Sequence, residues 1–187
     1  MKMGTDHEHR LCTFEEAEKA IRNHSNFYVN ECFCRGPAKA GKMPWDYCGH
    51  EVSNCMGFRE PSGEEDGFEF VRILRQEALI KFETWKRQGN FFRFMEDANW
   101  LCFCCSCGCG FFRDKDGQKV KDSCEKAPFI EKTALDMCTL CGDCIDVCSF
   151  DARSINDEIM LVNGENCYGC SACEYACPTG AITMIPR

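Results

Sequence analysis

The chain has 187 residues, room for one domain or two small ones, and 19 of them are cysteine. Its formal net charge of −8 argues against a phosphate-binding face, so no nucleic-acid partner is expected. No apolar run approaches the ~20 residues that span a bilayer, and the start, Met1 to Arg10, lacks the apolar stretch of a secretory leader.

So cysteine-rich a chain, with an odd cysteine count and no leader, is expected in a reducing, cytoplasmic and anaerobic setting rather than as a secreted disulfide scaffold. Residues 1–10, with His7 and His9, predict a frayed end. Thr13 and Glu16 then form a capping box ahead of Phe14, Ala17, Ala20 and Ile21, which predicts a helix ending near His24–Asn26. Residues 27–34 have strand-like composition and lead into a Gly/Pro/Lys loop at 36–44.

Cys32 and Cys34, then Cys48 and Cys55 with His50 between them, have the ligand types of one four-ligand site. Three readings fit: a third [4Fe–4S] cluster, a zinc site using Cys32, Cys34, Cys48 and either Cys55 or His50, or buried cysteines without metal. Ser62 to Glu65 predict the cap of a helix reaching Gln88, stopped by Gly89-Asn90. Its apolar stripe is Phe70, Val71, Leu74, Ala78, Phe82 and Trp85, expected to pack over the cysteine-rich segments.

After Phe91–Phe94 come five cysteines within eight residues: Cys102, Cys104, Cys105, Cys107 and Cys109. On a strand, Cys102 and Cys104 share one face. The interspersed glycines predict a backbone turning tightly around a metal centre. This segment could complete the site begun by Cys32 and Cys34, hold a separate cluster, or carry free thiols. Residues 113–126 read as a hairpin or linker, and Cys12 and Cys124 as structural.

The last fifty residues carry the sharpest pattern. Cys138, Cys141, Cys144 and Cys148 are spaced two, two and three residues apart, and Cys167, Cys170, Cys173 and Cys177 repeat that spacing 29 positions later. Zinc sites use paired Cys-x-x-Cys knuckles rather than triplets with a trailing cysteine. Soft thiolates at this spacing point instead to iron–sulfur clusters.

Residues 127–187 resemble the two-cluster [4Fe–4S] bacterial-type ferredoxins. The resemblance implies crossed ligation: Cys138, Cys141, Cys144 and Cys177 would hold one cluster, and Cys167, Cys170, Cys173 and Cys148 the other. It also implies two short helices behind the triplets, flanked by short strands. Two departures stand out. Ser149 follows Cys148 where the family has proline, as in Pro178, which predicts a looser turn there. Ser171 stands where the first motif has Gly142, which predicts an altered sulfur contact.

The whole chain more weakly resembles multi-cysteine iron–sulfur proteins in which a Cys-x-Cys region and a cysteine-dense patch precede such a module. The expected fold class is α+β, with a cysteine-rich, partly helical N-terminal domain over residues 1–126 and a ferredoxin domain over 127–187. No nucleophile–base pair, phosphate loop or dinucleotide fingerprint is visible. The expected function is one-electron transfer to redox partner proteins, as a carrier or as an electron-input subunit. The alternatives are a redox or activating enzyme with an unusual N-terminal cluster, or a metal or cluster assembly protein. The sequence does not set an oligomeric state.

Overall fold

The computed structural model describes residues 9–53, 55–61, 69–95, 99–113, 116 and 124–187. Its core is an antiparallel sheet. In chain order the N-terminal elements are β1 (His9–Cys12), α1 (Phe14–Asn23), β2 (Tyr28–Asn30), α2 (Arg35–Lys39), β3 (Cys55–Gly57), β4 (Phe70–Arg72), α3 (Arg75–Arg87), β5 (Phe91–Met95) and β6 (Trp100–Cys104). The six strands lie in the order β1-β5-β6-β3-β2-β4. Helix and strand are mixed, as the α+β expectation has it.

Strand alternation splits the sheet into an aromatic face and a sulfur face. Met56, Phe92, Phe94, Leu101 and Phe103 point one way and pack with Phe14, Ala17 and Ile21 of α1 and Ala78, Phe82 and Trp85 of α3. Leu11, Cys55, Phe91, Cys102 and Cys104 point the other way, into a cluster with Cys32, Cys34, Cys109 and Phe112. Trp85 lies on Phe103 with ring centroids 3.3 Å apart. The stripe of α3 therefore covers the face opposite the cysteines, not the cysteines themselves. On β6 the alternation Leu101, Cys102, Phe103, Cys104 decides this: the aromatic face attracts the helices, and the thiols are left to face one another.

Two other expectations change. The Thr13–Glu16 capping box forms as expected, but residues 70–72 are strand rather than helix. Phe70 and Val71 have strand propensity, and pairing of Val29 with Val71 captures them at the sheet edge. The helix begins after Leu74, whose N–H donates to the Glu77 carboxylate, and Val71 and Leu74 are exposed. The expected cap at Ser62 to Glu65 lies outside the described residues. Strand structure after Phe27 stops at Asn30, and the expected loop at 36–44 begins as the single-turn α2; Pro37 is tolerated because a first-turn N–H has no helical partner to lose.

The C-terminal part contains β7 (Phe129–Thr133), α4 (Asp143–Asp146), β8 (Arg153–Asn156), β9 (Ile159–Val162), α5 (Ala172–Ala176) and β10 (Ile182–Pro186). β7 pairs with β10 and β8 with β9, both antiparallel. This part packs against both clusters: Ala172 and Val147 join the aromatic one, and Ala127 and Tyr168 the sulfur one. Cys124–Lys126 runs beside β1, with Leu11 N–H donating to Glu125 O at 2.9 Å, and Ala127 N–H donates to Tyr168 O at 3.0 Å. Phe150 and Tyr168 stack at 4.4 Å, and Phe91 and Phe112 complete an aromatic wall between the two parts.

Candidate functional site

The eight C-terminal cysteines gather in two cavities. One is lined by Cys138, Cys141, Cys144 and Cys177, with Met160, Ala181 and Ile182. The second is lined by Cys167, Cys170, Cys173 and Cys148, with Phe150, Tyr168 and Met184. Each cavity thus has three thiols of one motif and the trailing thiol of the other. Four soft sulfurs around an apolar cavity fit the ligand demand of a [4Fe–4S] cluster.

The two motif loops share one backbone with different residues. Leu140 and Gly142 have φ of 56° and 89°, and the equivalent Gly169 and Ser171 have 74° and 61°. Each loop therefore needs two left-handed residues, and each spends its glycine at a different one. Gly169 is required because a Cβ there would sit 2.2 Å from Phe129 O. Ser171 accepts the left-handed conformation, and its Oγ accepts the Phe14 N–H at 2.8 Å. That N–H belongs to the first turn of α1, where the helix leaves donors unpaired. At the other departure the turn persists without proline: Asp151 (φ 53°) stands where the second motif has Gly180 (φ 66°), and Ala152 N–H donates to Cys148 Sγ.

A buried cation lies beside both cavities. Arg153 lines both cavities and pairs with Glu131 at 2.6 Å, the two side chains being 1% and 6% exposed. Burial opposes its charge, but Glu131 and the Cys144 thiol more than compensate and hold the guanidinium ionised. Desolvation pushes the Cys170 thiol up to about 12, with Cys148 and Cys167 adding to the rise. Burial also raises Cys173. Cys177 is lowered: hydrogen bonds from Thr179 and nearby backbone N–H groups outweigh its desolvation.

The N-terminal cysteines divide differently from the sequence expectation. Six buried thiols, Cys32, Cys34, Cys55, Cys102, Cys104 and Cys109, gather in one cluster, a ring in which each acts electrostatically on the next in the order Cys32, Cys34, Cys109, Cys104, Cys102, Cys55 and back to Cys32. The Cys55–Cys102 separation is 3.6 Å. Neighbouring thiols hold Cys32 and Cys102 well below the ordinary thiol range against their burial, with Arg35 and Arg93 helping. The same neighbouring thiols, with burial, push Cys34, Cys55 and Cys104 up. The ring therefore favours two thiolates beside two arginines that are each 1% exposed. Arg35 also donates to Phe103 O.

Cys48 and His50 do not join Cys32 and Cys34. They meet Cys105 and Cys107 instead, and these four ligand atoms all lie within 4.8 Å of one another. The expected zinc set of Cys32, Cys34, Cys48 and either Cys55 or His50 is thus redrawn, because Gly49 (φ 81°) turns Cys48 and His50 together toward the bend after β6. That Cys48 would pair with Cys105 across 57 positions had no signal in the sequence. The glycines of the dense segment act through size rather than backbone freedom. A Cβ on Gly108 would lie 2.6 Å from Cys48 Sγ, and one on Gly110 3.1 Å from Cys34 Sγ.

Comparison with known proteins covers the C-terminal part. A family model described as a 4Fe-4S dicluster domain matches residues 137–181. Ferredoxin-3 of Nostoc sp. is 31% identical over 77 residues, which cover 31% of this chain and 79% of that protein. An uncharacterized ferredoxin of Methanocaldococcus jannaschii is 32% identical over 48 residues, 25% of this chain and 77% of that protein. The archaeal-type glutamate synthase [NADPH] of Dehalococcoides mccartyi is 38% identical over 58 residues; these are 30% of this chain but only 12% of that enzyme's length.

Proposed function

Through its C-terminal module the chain belongs to the bacterial-type ferredoxins, and on that premise we propose that it relays single electrons to and from protein partners. Cys138, Cys141, Cys144 and Cys177 would hold one [4Fe–4S] cluster, and Cys167, Cys170, Cys173 and Cys148 the other. The supporting observation is that each cavity mixes three thiols of one motif with the trailing thiol of the other. When bound, the clusters would supply one-electron chemistry. The chain's own residues supply ligands, exclude water through Phe150, Tyr168, Met160 and Ile182, and fix a positive charge at Arg153.

The six-thiol ring supports a third iron–sulfur station. Its soft donors suit iron once contacts such as Cys55–Cys102 at 3.6 Å give way to separate iron corners, and Arg35 and Arg93 would offset the negative charge of a thiolate-bound group. The aromatic wall of Phe91, Phe112, Phe150 and Tyr168 joins the ring's core to the second ferredoxin cavity, so the N-terminal half would extend the relay. Net charge favours a partner with a basic docking patch. No helix among the described residues is long and apolar enough to cross a membrane, and a reducing compartment suits this thiol chemistry. Whether the chain works as a free carrier or as an electron-input subunit depends on that partner.

A potentiometric EPR titration of the anaerobically purified chain tests the reading. Reversible one-electron signals accounting for the bound iron are expected. Iron that cannot be reversibly reduced would contradict electron relay.

A further inference from the structure

Among the described residues, one other set of soft ligands converges outside the ferredoxin cavities and the six-thiol ring: Cys48, His50, Cys105 and Cys107. Cys48 Sγ lies 3.8 Å from Cys105 Sγ, and His50 Nδ1 lies 3.4 Å from both Cys48 Sγ and Cys107 Sγ. Zinc binds thiolate sulfur at about 2.3 Å and imidazole nitrogen at about 2.0–2.1 Å. At tetrahedral angles those bond lengths put two sulfurs about 3.8 Å apart and a sulfur and a nitrogen about 3.5 Å apart. These three separations are those of ligands around one ion, and all four ligand atoms lie within 4.8 Å of one another. A [4Fe–4S] cluster asks for the opposite, thiolates spread onto separate iron corners.

We infer that Cys48, His50, Cys105 and Cys107 form a tetrahedral site for a single zinc-class divalent cation, separate from the iron–sulfur centres. Three thiolates and one imidazole complete four-coordination and leave no open position, which makes the site structural rather than catalytic. The surroundings are built for it. Gly49 takes a left-handed φ of 81° that brings Cys48 and His50 to one point. Gly108 leaves the space that Cys48 Sγ fills, since any Cβ there would collide with it. Tyr47 Oη donates to His50 O at 2.5 Å, and the Arg113 guanidinium donates to Cys107 O, holding both ligand segments by their backbones.

The site gives the segment between α2 and β3 an anchor that its secondary structure does not provide. Residues 40–53 contain no helix or strand, and the ion ties them to the turn that follows β6. That turn lies between Cys104, the last residue of β6, and Cys109, which both belong to the ring. Loading the site would release the protons of those of its thiols still protonated, so zinc retention should fall as the pH is lowered.

The test is metal analysis and zinc X-ray absorption on the full chain, purified anaerobically without added metal. About one zinc per chain is expected, with a first shell of three sulfurs and one nitrogen. The Cys48→Ser/Cys107→Ser variant should lose at least nine-tenths of that zinc and keep the iron and sulfide content of the unaltered chain. His50→Cys, which keeps four ligands, is the second arm: it should keep zinc and convert the shell to four sulfurs. Absence of zinc from the full chain, iron lost in step with Cys48 and Cys107, or a shell unchanged in His50→Cys would each overturn the assignment. Iron content reads the ferredoxin module separately, so failure here and failure of the electron-relay proposal are distinguishable.

Discussion

Arg153 stands where the second half of the duplication has Ile182, and no spacing rule pointed to it. Its guanidinium touches the surroundings of both cavities, close to Cys144 on one side and Cys173 on the other. A fixed positive charge there favours the more negative, reduced state of each centre and so raises its potential. With an effective dielectric of about 20, one charge at about 8 Å is worth about 2 kcal/mol. Part of this is cancelled by Glu131, so Arg153→Met should lower the midpoint potentials by on the order of tens of millivolts. Arg153→Lys, which keeps the charge, should restore most of the loss. Equal potentials in all three proteins would mean that the ion pair is only structural.

Ser171 is a residue-scale case of the same kind. In sequence it looked like a departure from a glycine pattern, and its partner, the Phe14 N–H, is 157 positions away. Ser171→Ala leaves that buried N–H without its acceptor while keeping the left-handed strain, and should cost about 1–3 kcal/mol. Ser171→Gly loses the same bond but relieves about 1–2 kcal/mol of strain, so it should be the milder variant in thermal unfolding. If alanine proved the milder of the two, the docking role of the serine would be wrong.

At the scale of elements, local chemistry was legible where it was strong. Thr13 and Glu16 announced α1, and the duplicated cysteine spacing announced the two motif loops. Elements set by distant partners were not. β4 exists because Val71 pairs with Val29, and an apolar stripe at helical spacing ran straight through it. The face taken by Cys102 and Cys104 was readable from alternation, but which face the helices would cover was not. The β8–β9 hairpin turns through Asp157 and Glu158 at φ 47° and 60°. Asp157 suits such a turn, but Glu158 is not the glycine that normally completes it, so the hairpin left only half a signature.

At the scale of the whole molecule, the cysteines sort into three kinds of arrangement. Eight line the two cavities, six form the ring, and three join His50 in the compact set. The remaining two, Cys12 and Cys124, are buried in the packing of the two sheet faces. Sequence spacing could group the first eight because their loops are local and repeated. It could not divide the other nine, since the ring and the compact set draw on the same two regions and only the sheet register separates them. Cys55 opposite Cys102 across β3 and β6 is the pairing that places the ring, while Cys105 lies one residue past the end of β6 and falls to the other site.

Crossed ligation is read most directly from iron and acid-labile sulfide per chain in a set of combined variants. Cys141→Ala/Cys144→Ala should strip one cluster, about four irons, from the purified chain. In that background Cys177→Ala should remove no further iron, because its cluster is already gone, while Cys148→Ala should remove more. The reverse pattern, with Cys148→Ala silent and Cys177→Ala costly, would contradict crossed ligation of the two cavities.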